Sequence, residues 1–518
     1  MSQPARLSAA LLFACACSPS GGDGTDSSPI TGSTSAATTD APTTSTSSTT
    51  GDEPGSSTSS GTTTGTTAEP LTTTGTTGDS PVAPTVILPR ASIQPEELAV
   101  LANDQDPQSM AVAAHYMAAR GLPADNLLVL SFAPPGDALA ADVFAGLKGQ
   151  VDAALGPDIQ ALAIAWTKPY RVECQSLVSA FALGHDPAKY CSQPCSETAP
   201  SGYYDSSSLR PFIDLGLRPA MHLAGTSLEN VQALIDRGVA ADATAPSGTG
   251  YFVRTTDTAR SVRWPSFTAT VDQWSPERIA MEYVDNAMGM GSDALEGKVD
   301  LLFYFTGLAD VPGIATNTYL PGAVADHLTS YGGQICDSGQ MSICRWLEAG
   351  ATGSYGTATE PCNYPQKFPE TQVFVPHYWR GETLIEAYWK SVSWPGEGVF
   401  VGEPLARPYA GATVEFDPDT LSLQIRTRQF APGVTYTVES GPSEQGPWTA
   451  SSELPRPPMR STKSTSPTRP NPSTGSSGPP ELLTFVSFAP VFHRLARRFR
   501  TPRCDPETSP ATLMKHRY

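Results

Sequence analysis

Leu98-Ala-Val-Leu101, Asn103-Asp104-Gln105-Asp106-Pro107 and Leu127-Leu-Val-Leu130 set the architecture of this chain. An apolar run ends in a turn. Asp106 then stands as an N-cap, with Pro107 in the first helical position, where its missing N–H costs nothing. Met110, Ala113, Ala114 and Met117 recur at helical spacing, and Gly121-Leu-Pro123 stops the helix. A second apolar run follows, so the stretch is a strand–helix–strand unit.

The same alternation continues along the chain. Asp142 to Leu155 reads as a helix and Leu162 to Trp166 as a strand. Met221 to Ala224 is strand-like. Thr226-x-x-Glu229 is a capping box opening a helix with one apolar face. Tyr251-Phe-Val253 and Leu301-Leu-Phe-Tyr-Phe305 are strands, the latter apolar enough to be central. Ala323 to Leu328, Ser342 to Leu347 and Thr383 to Val392 read as helices, and Val399-Phe-Val401 as a closing strand. This order predicts an α/β fold, a mostly parallel sheet with helices on both faces. Thr413 to Ala450, with short strand runs separated by turns such as Asp417-Pro-Asp419, predicts a small antiparallel β add-on.

The ends have another character. Residues 1–17 hold one positive charge, a short apolar run and Leu12-Phe13-Ala14-Cys15. That is a secretory signal whose end is similar to a bacterial lipobox, with Cys15 as the lipidated residue and, in the alternative, an ordinary cleaved signal. From Ser18 to Ser80, 45 of 63 positions are Ser, Thr or Gly. Residues 18–82 therefore read as a disordered tether. The α/β domain spans 83–412, a β module 413–452, and a Pro-rich basic tail, expected to be disordered, 453–518. The tail carries eleven Lys/Arg against four Asp/Glu in a chain of net charge −18. It reads as a read-through segment without evolved structure or as a basic arm for an anionic surface. The acidic body argues against a nucleic-acid partner. No stretch reaches the ~18 apolar residues of a membrane span, so a lipid anchor is the expected membrane contact.

Nine cysteines fall at 15, 17, 174, 191, 195, 336, 344, 362 and 504. An exported compartment permits disulfides. Two clusters of three, Cys174/Cys191/Cys195 and Cys336/Cys344/Cys362, require a cross-link between clusters or a free thiol. Zinc at Cys191-x3-Cys195, with His185 nearby, lacks a second ligand pair. No metal and no cofactor is expected.

From Tyr304 onward longer signatures occur: Tyr304-Phe-Thr-Gly307, Leu320 to Ser330, Trp346 to Thr357, Glu360-Pro-Cys362, Lys367-Phe-Pro369, Tyr378 to Trp389 and Val401 to Pro408. With Val100 to Pro123 they resemble a TIGR-model family of bacterial exported proteins of unassigned function, over about Ala91 to Tyr409. The element order is also similar to the caspase/gingipain-type peptidase fold. That resemblance implies a His-Gly after one strand and a nucleophilic Cys after the next. Thr306-Gly307 and Thr352-Gly353 or Ser354 stand at those places, so the dyad is missing.

In a doubly wound sheet, ligands bind beyond the carboxyl ends of the strands. The reading puts Asn103 to Asp106, Thr167-Lys168, Thr306 to Asp310 and Gly350 to Cys362 on one rim. Gly350, Gly353 and Gly356 are either a backbone cradle for a ligand or a tight turn. Asp104 is a candidate cation ligand. Tyr355, Tyr364 and Trp379 are groove or core residues, and Lys367 and Arg380 pair with Glu360 or Glu382 or meet a ligand. Cys362 is first half of a disulfide with Cys336 or Cys344. Second, it is a nucleophile with Glu360 and His327, with Ser354 as an alternative. His327 is otherwise a surface or packing residue of a helix. Two functions follow: a surface-anchored binding or scaffold domain on a hydrolase-like fold, or a hydrolase with a displaced catalytic set.

Overall fold

The computed structural model describes residues 84–191, 195–419, 422–430, 436–441 and 447–454, and the backbone of Thr484–Ser487 and Ala496–Arg500. The signal, the tether and the rest of the tail lie outside the described residues.

Ten strands form one sheet: β1 Leu98–Asn103, β2 Leu127–Leu130, β3 Ala161–Ile164, β4 Ala220–His222, β5 Thr249–Arg254, β6 Ala280–Asp285, β7 Leu301–Gly307, β8 Tyr319–Leu328, β9 Gly353–Thr357 and β10 Gly398–Gly402. Their order is β6-β5-β7-β8-β9-β10-β4-β3-β1-β2. The pairs β6/β5, β5/β7, β7/β8 and β8/β9 are parallel, as are β10/β4, β4/β3, β3/β1 and β1/β2. Only β9/β10 is antiparallel. The sheet is therefore two parallel halves of five strands running in opposite directions. Within each, four consecutive strands repeat one order: β2-β1-β3-β4 and β6-β5-β7-β8. The carboxyl ends of the two halves lie at opposite edges, which overturns the expectation of one rim. β7 is interior but not central; β9 and β10 hold the middle.

Local chemistry explains the elements. Helix α1 (Pro107–Arg120) starts where Asp106 accepts from Gln108 N at 3.0 Å and ends at Gly121 with φ 61°. Helices α2 (Ala141–Ala154) and α3 (Leu177–Leu183) meet through Phe144 and Phe181. Helix α4 (Leu228–Ala241) is capped by Ser227, whose Oγ accepts from Asn230 N, not by Thr226. The Thr226 hydroxyl is taken by Glu348 at 2.7 Å. Helices α5 (Trp264–Gln273), α6 (Cys344–Ala349), α7 (Thr371–Trp379) and α8 (Leu384–Ser391) complete the layers.

Alternation along β10 separates those layers, because successive side chains of a strand point to opposite faces. Val399 and Val401 cluster with Leu234 of α4 and Leu347 of α6, whereas Phe400 stacks on Trp389 of α8. Along β7, Tyr304 meets Trp346 of α6, and Phe303 and Phe305 meet Phe374 of α7.

Ala323 to Leu328, read as a helix, is part of the ten-residue strand β8. Ala323, Ala325 and Leu328 are good helix formers, but Val324 and the pairing with β7 and β9 hold the stretch extended. Between Leu301/Phe303 on β7 and Tyr319/Val324 on β8 the register shifts, and the extra residues around Pro321-Gly322 form a bulge.

Ala412–Asp417 (β11) and Ser422–Thr427 (β12) pair antiparallel, as do Tyr436–Gly441 (β13) and Thr449–Leu454 (β14). Thr484–Ser487 pairs with β12 and Ala496–Arg500 with β13, so two strands occur within the tail expected to be disordered. Arg428 after β12 sits 4.6 Å from the Trp379 ring, tying this module to α7.

Candidate functional site

The expected site residues separate. Asp104 is exposed at the carboxyl edge of the first half, in the turn where its N–H donates to Leu130 O. Gly350, with φ 119°, caps α6 at the amino end of β9, and Cys362 follows the other end of that strand. Gly353 and Gly356 are inside β9. A Cβ on Gly353 would lie 2.6 Å from Leu384, and one on Gly356 would lie 2.4 Å from Gly333 N. These glycines let side chain and backbone cross the sheet; they are not a ligand cradle.

The proposed catalytic set is taken apart likewise. Cys362 is bonded to Cys195, not to Cys336 or Cys344, which bond each other; Cys174 bonds Cys191. The cross-link between the two sequence clusters is thus present, and Cys191 and Cys195 are held in disulfides rather than as a zinc pair. Glu360 Oε1 accepts from Cys362 N at 2.8 Å.

His327 lies on β8, wholly buried. Trp346 Nε1 can only donate, so His327 Nδ1 accepts at 2.9 Å and Nε2–H donates to Met341 O at 3.0 Å. Both ring nitrogens are engaged, and burial pushes the imidazole down to about 3. Ser354 is fully buried, and its Oγ has no hydrogen-bond partner. In register with Val401, it faces the layer of α4 and α6.

Tyr355 is core, stacked edge-on against Phe400 and donating its hydroxyl to Lys367 O. Lys367 is fully buried 2.8 Å from Glu397, and burial lowers its pKa. Arg380 meets Glu382 at 3.3 Å.

What the fold does gather lies at the carboxyl edge of the second half. A cleft of about 230 Å³ is lined by Arg260 after β5, Thr329 and Ser330 after β8, and Glu360, Cys362 and Asn363 after β9. Arg260 is held by Asp257 at 2.7 Å and donates from Nε to Thr329 Oγ1 at 3.2 Å. Thr329 donates to Gln340 Oε1, which also accepts from Ser330 N at 3.0 Å. Thr357 Oγ1 donates to Ser330 O at 3.1 Å. Gln340, Asp310, Ser338 and Arg345 line a neighbouring cleft of about 310 Å³. Such volumes sit at or below the low end of small-molecule sites and suit one polar group rather than a large ligand.

Gly307 sets this geometry. A Cβ there would lie 1.9 Å from Arg260 O. Gly307→Ala is expected to cost about 2–3 kcal/mol through overpacking and to displace Arg260 from Thr329. Urea denaturation checks the first effect and the Arg260 side-chain NMR signals the second.

Arg260, Thr329, Ser330 and Gln340 were not singled out from the sequence. Thr329 and Ser330 stand at the end of β8, a strand that the sequence reads as a helix, and Arg260 follows β5 by a loop.

The chain is an α/β protein with two opposed parallel half-sheets, a small polar cleft and, among the described residues, three disulfides. No family model, curated protein or solved structure matches the chain. Among the described residues there is no helix long and apolar enough to cross a membrane and no group of three His, Cys, Asp or Glu fit to hold a metal.

Proposed function

We propose that this chain is an exported, lipid-anchored binding or scaffold domain on a caspase/gingipain-like hydrolase fold. It recognises a small polar group in the cleft between Arg260, Thr329 and Ser330. The carrying observation is that the nucleophile–base pair is consumed structurally: Cys362 sulfur is bonded to Cys195 and both His327 nitrogens have partners. A thiolate nucleophile needs a free sulfur and a base within reach. At the places where the resemblance puts the dyad stand Thr306-Gly307 and Thr352-Gly353 or Ser354, with neither a His nor a Cys among them. Three disulfides fit an oxidising compartment, and Cys15 after the signal supplies the anchor. The cleft offers a guanidinium and hydroxyls, donors suited to a carboxylate, a peptide terminus or a sugar hydroxyl.

The test is labelling and binding on the folded, unreduced protein. A thiol-reactive probe is expected to leave Cys362 unmodified, and a fluorophosphonate probe to leave Ser354 unmodified. Amide chemical shifts on titration with amino acids, dipeptides and monosaccharides are expected to move at Arg260, Thr329 and Ser330. Arg260→Ala is expected to weaken that binding at least tenfold. Stoichiometric labelling of either nucleophile, or shifts confined to the edge bearing Asp104, would end the proposal.

A further inference from the structure

The three disulfides are not equivalent. Cys174–Cys191 and Cys336–Cys344 each span a short separation, 17 and 8 residues, and each has one buried member, Cys191 and Cys344. Cys195–Cys362 spans 167 residues, Cys195 is exposed, and Cys362 is half-buried in the wall of the cleft. It ties a segment between β3 and β4 of one half-sheet to the loop after β9 of the other. Cys362 is also held at φ 59°, a left-handed conformation that L side chains rarely adopt. Cys336 shares that conformation at φ 67° and lines the neighbouring cleft, but its partner Cys344 is buried, so one of the two sulfurs is closed to attack.

Exchange of a disulfide begins with a thiolate reaching one of its sulfurs, so access decides which bond opens. We infer that Cys195–Cys362 is the chain's site of thiol–disulfide exchange, a latch whose opening by an external dithiol reshapes the cleft. A dithiol thiolate attacks the sulfur of Cys195, the exposed member of the pair. The Cys195–Cys362 bond breaks, and Cys362 leaves as a thiolate that takes a proton from water. The second thiol of the reagent, giving up its proton, attacks the mixed disulfide and expels the Cys195 thiolate, which is protonated in turn. Two electrons pass to the protein, and the dithiol becomes a disulfide. Freed of its tether, Cys362 relaxes from the left-handed region, and the wall formed by Glu360, Cys362 and Asn363 moves. This does not depend on the binding reading, because it concerns the bond and not any ligand.

The experiment uses the full chain, with free thiols blocked by N-ethylmaleimide and then titrated with dithiothreitol, alkylated with iodoacetamide and mapped by mass spectrometry. Cys195 and Cys362 are expected to be alkylated at a dithiothreitol concentration at least tenfold lower than the other four. Hydrogen exchange is expected to rise in 358–364 and 329–331 with the circular dichroism spectrum unchanged, and glutathione disulfide to reverse it. A Cys195→Ser/Cys362→Ser double variant is expected to show the same local exchange without reductant. Opening of another disulfide first or together with this one, unchanged exchange around the cleft, or loss of the whole fold would each overturn the inference.

Discussion

Replacing Glu382 with alanine is expected to destabilise the protein by about 3–5 kcal/mol, the range for breaking a buried ion pair by removing one partner. Glu382 Oε2 lies 2.7 Å from Lys390 Nζ, and Oε1 lies 2.7 Å from His377 Nδ1 and 3.3 Å from Arg380. Lys390 is fully buried and Glu382 nearly so. Burial alone would push the Glu382 carboxyl up, but Lys390, His377 and Arg380 outweigh it and hold it down to about 2. A depressed carboxyl stabilises the fold above its ordinary pKa and loses that stabilisation as pH falls toward 2. In Glu382→Ala the Lys390 ammonium keeps its burial and loses its carboxylate. Glu382→Ala/Lys390→Met, which removes both charges, is expected to recover most of the loss. Urea unfolding of the three proteins at pH 7 decides; a single-variant loss under about 1 kcal/mol would contradict the assignment.

Acid is expected to remove about 4 kcal/mol of stability between pH 6.5 and 4 through three buried groups, at about 1.4 kcal/mol per pH unit for each proton. Burial pushes His222 down to about 4 and His327 to about 3, so both stay neutral in the fold. The unfolded chain protonates them below about 6.5. Their stabilisation is whole above that pH and drains as pH falls, together about 2.7 kcal/mol per unit.

Asp326 opposes them. Burial raises its carboxyl to about 6 despite Arg263 at 2.6 Å. From pH 6 down to about 4 the folded carboxyl holds a proton that the unfolded one lacks, so its contribution grows and offsets one histidine. The curve should be steep just below pH 6.5 and about half as steep below pH 6. Denaturant midpoints at pH 7.5, 6, 5 and 4 measure it, and His327→Gln should flatten it. A stability that is level or rising from pH 6.5 to 5 would refute the burial argument.

Sequence periodicity carried most of the layers because it needs only local information. β1, α1 and β2 follow from apolar runs, the Asp106 cap and the Gly121 stop, each a property of a few neighbouring residues. β8 reads as a helix because its Ala323, Ala325 and Leu328 are good helix formers, whereas its strand depends on partners far along the chain. Arg263 neutralises Asp326, and Trp346 and Met341 satisfy His327. That one strand displaced the site, since the cleft hangs on Thr329 and Ser330 at its end. The glycines of β9 posed a similar problem: a cluster spaced like a cradle is fixed by a crossing backbone at Gly333 and by Leu384.

Residue order alone carries the class of fold, the choice between a link joining the two cysteine clusters and a free thiol, the acidic body and the separate β module. Each of these is set by composition, spacing or short-range preference. Long-range contacts set the opposed half-sheets, the bond from Cys362 to Cys195 and the cleft at one edge. Strand direction, disulfide partners and cleft walls are fixed by contacts between residues distant in the chain, and no local energy distinguishes the alternatives.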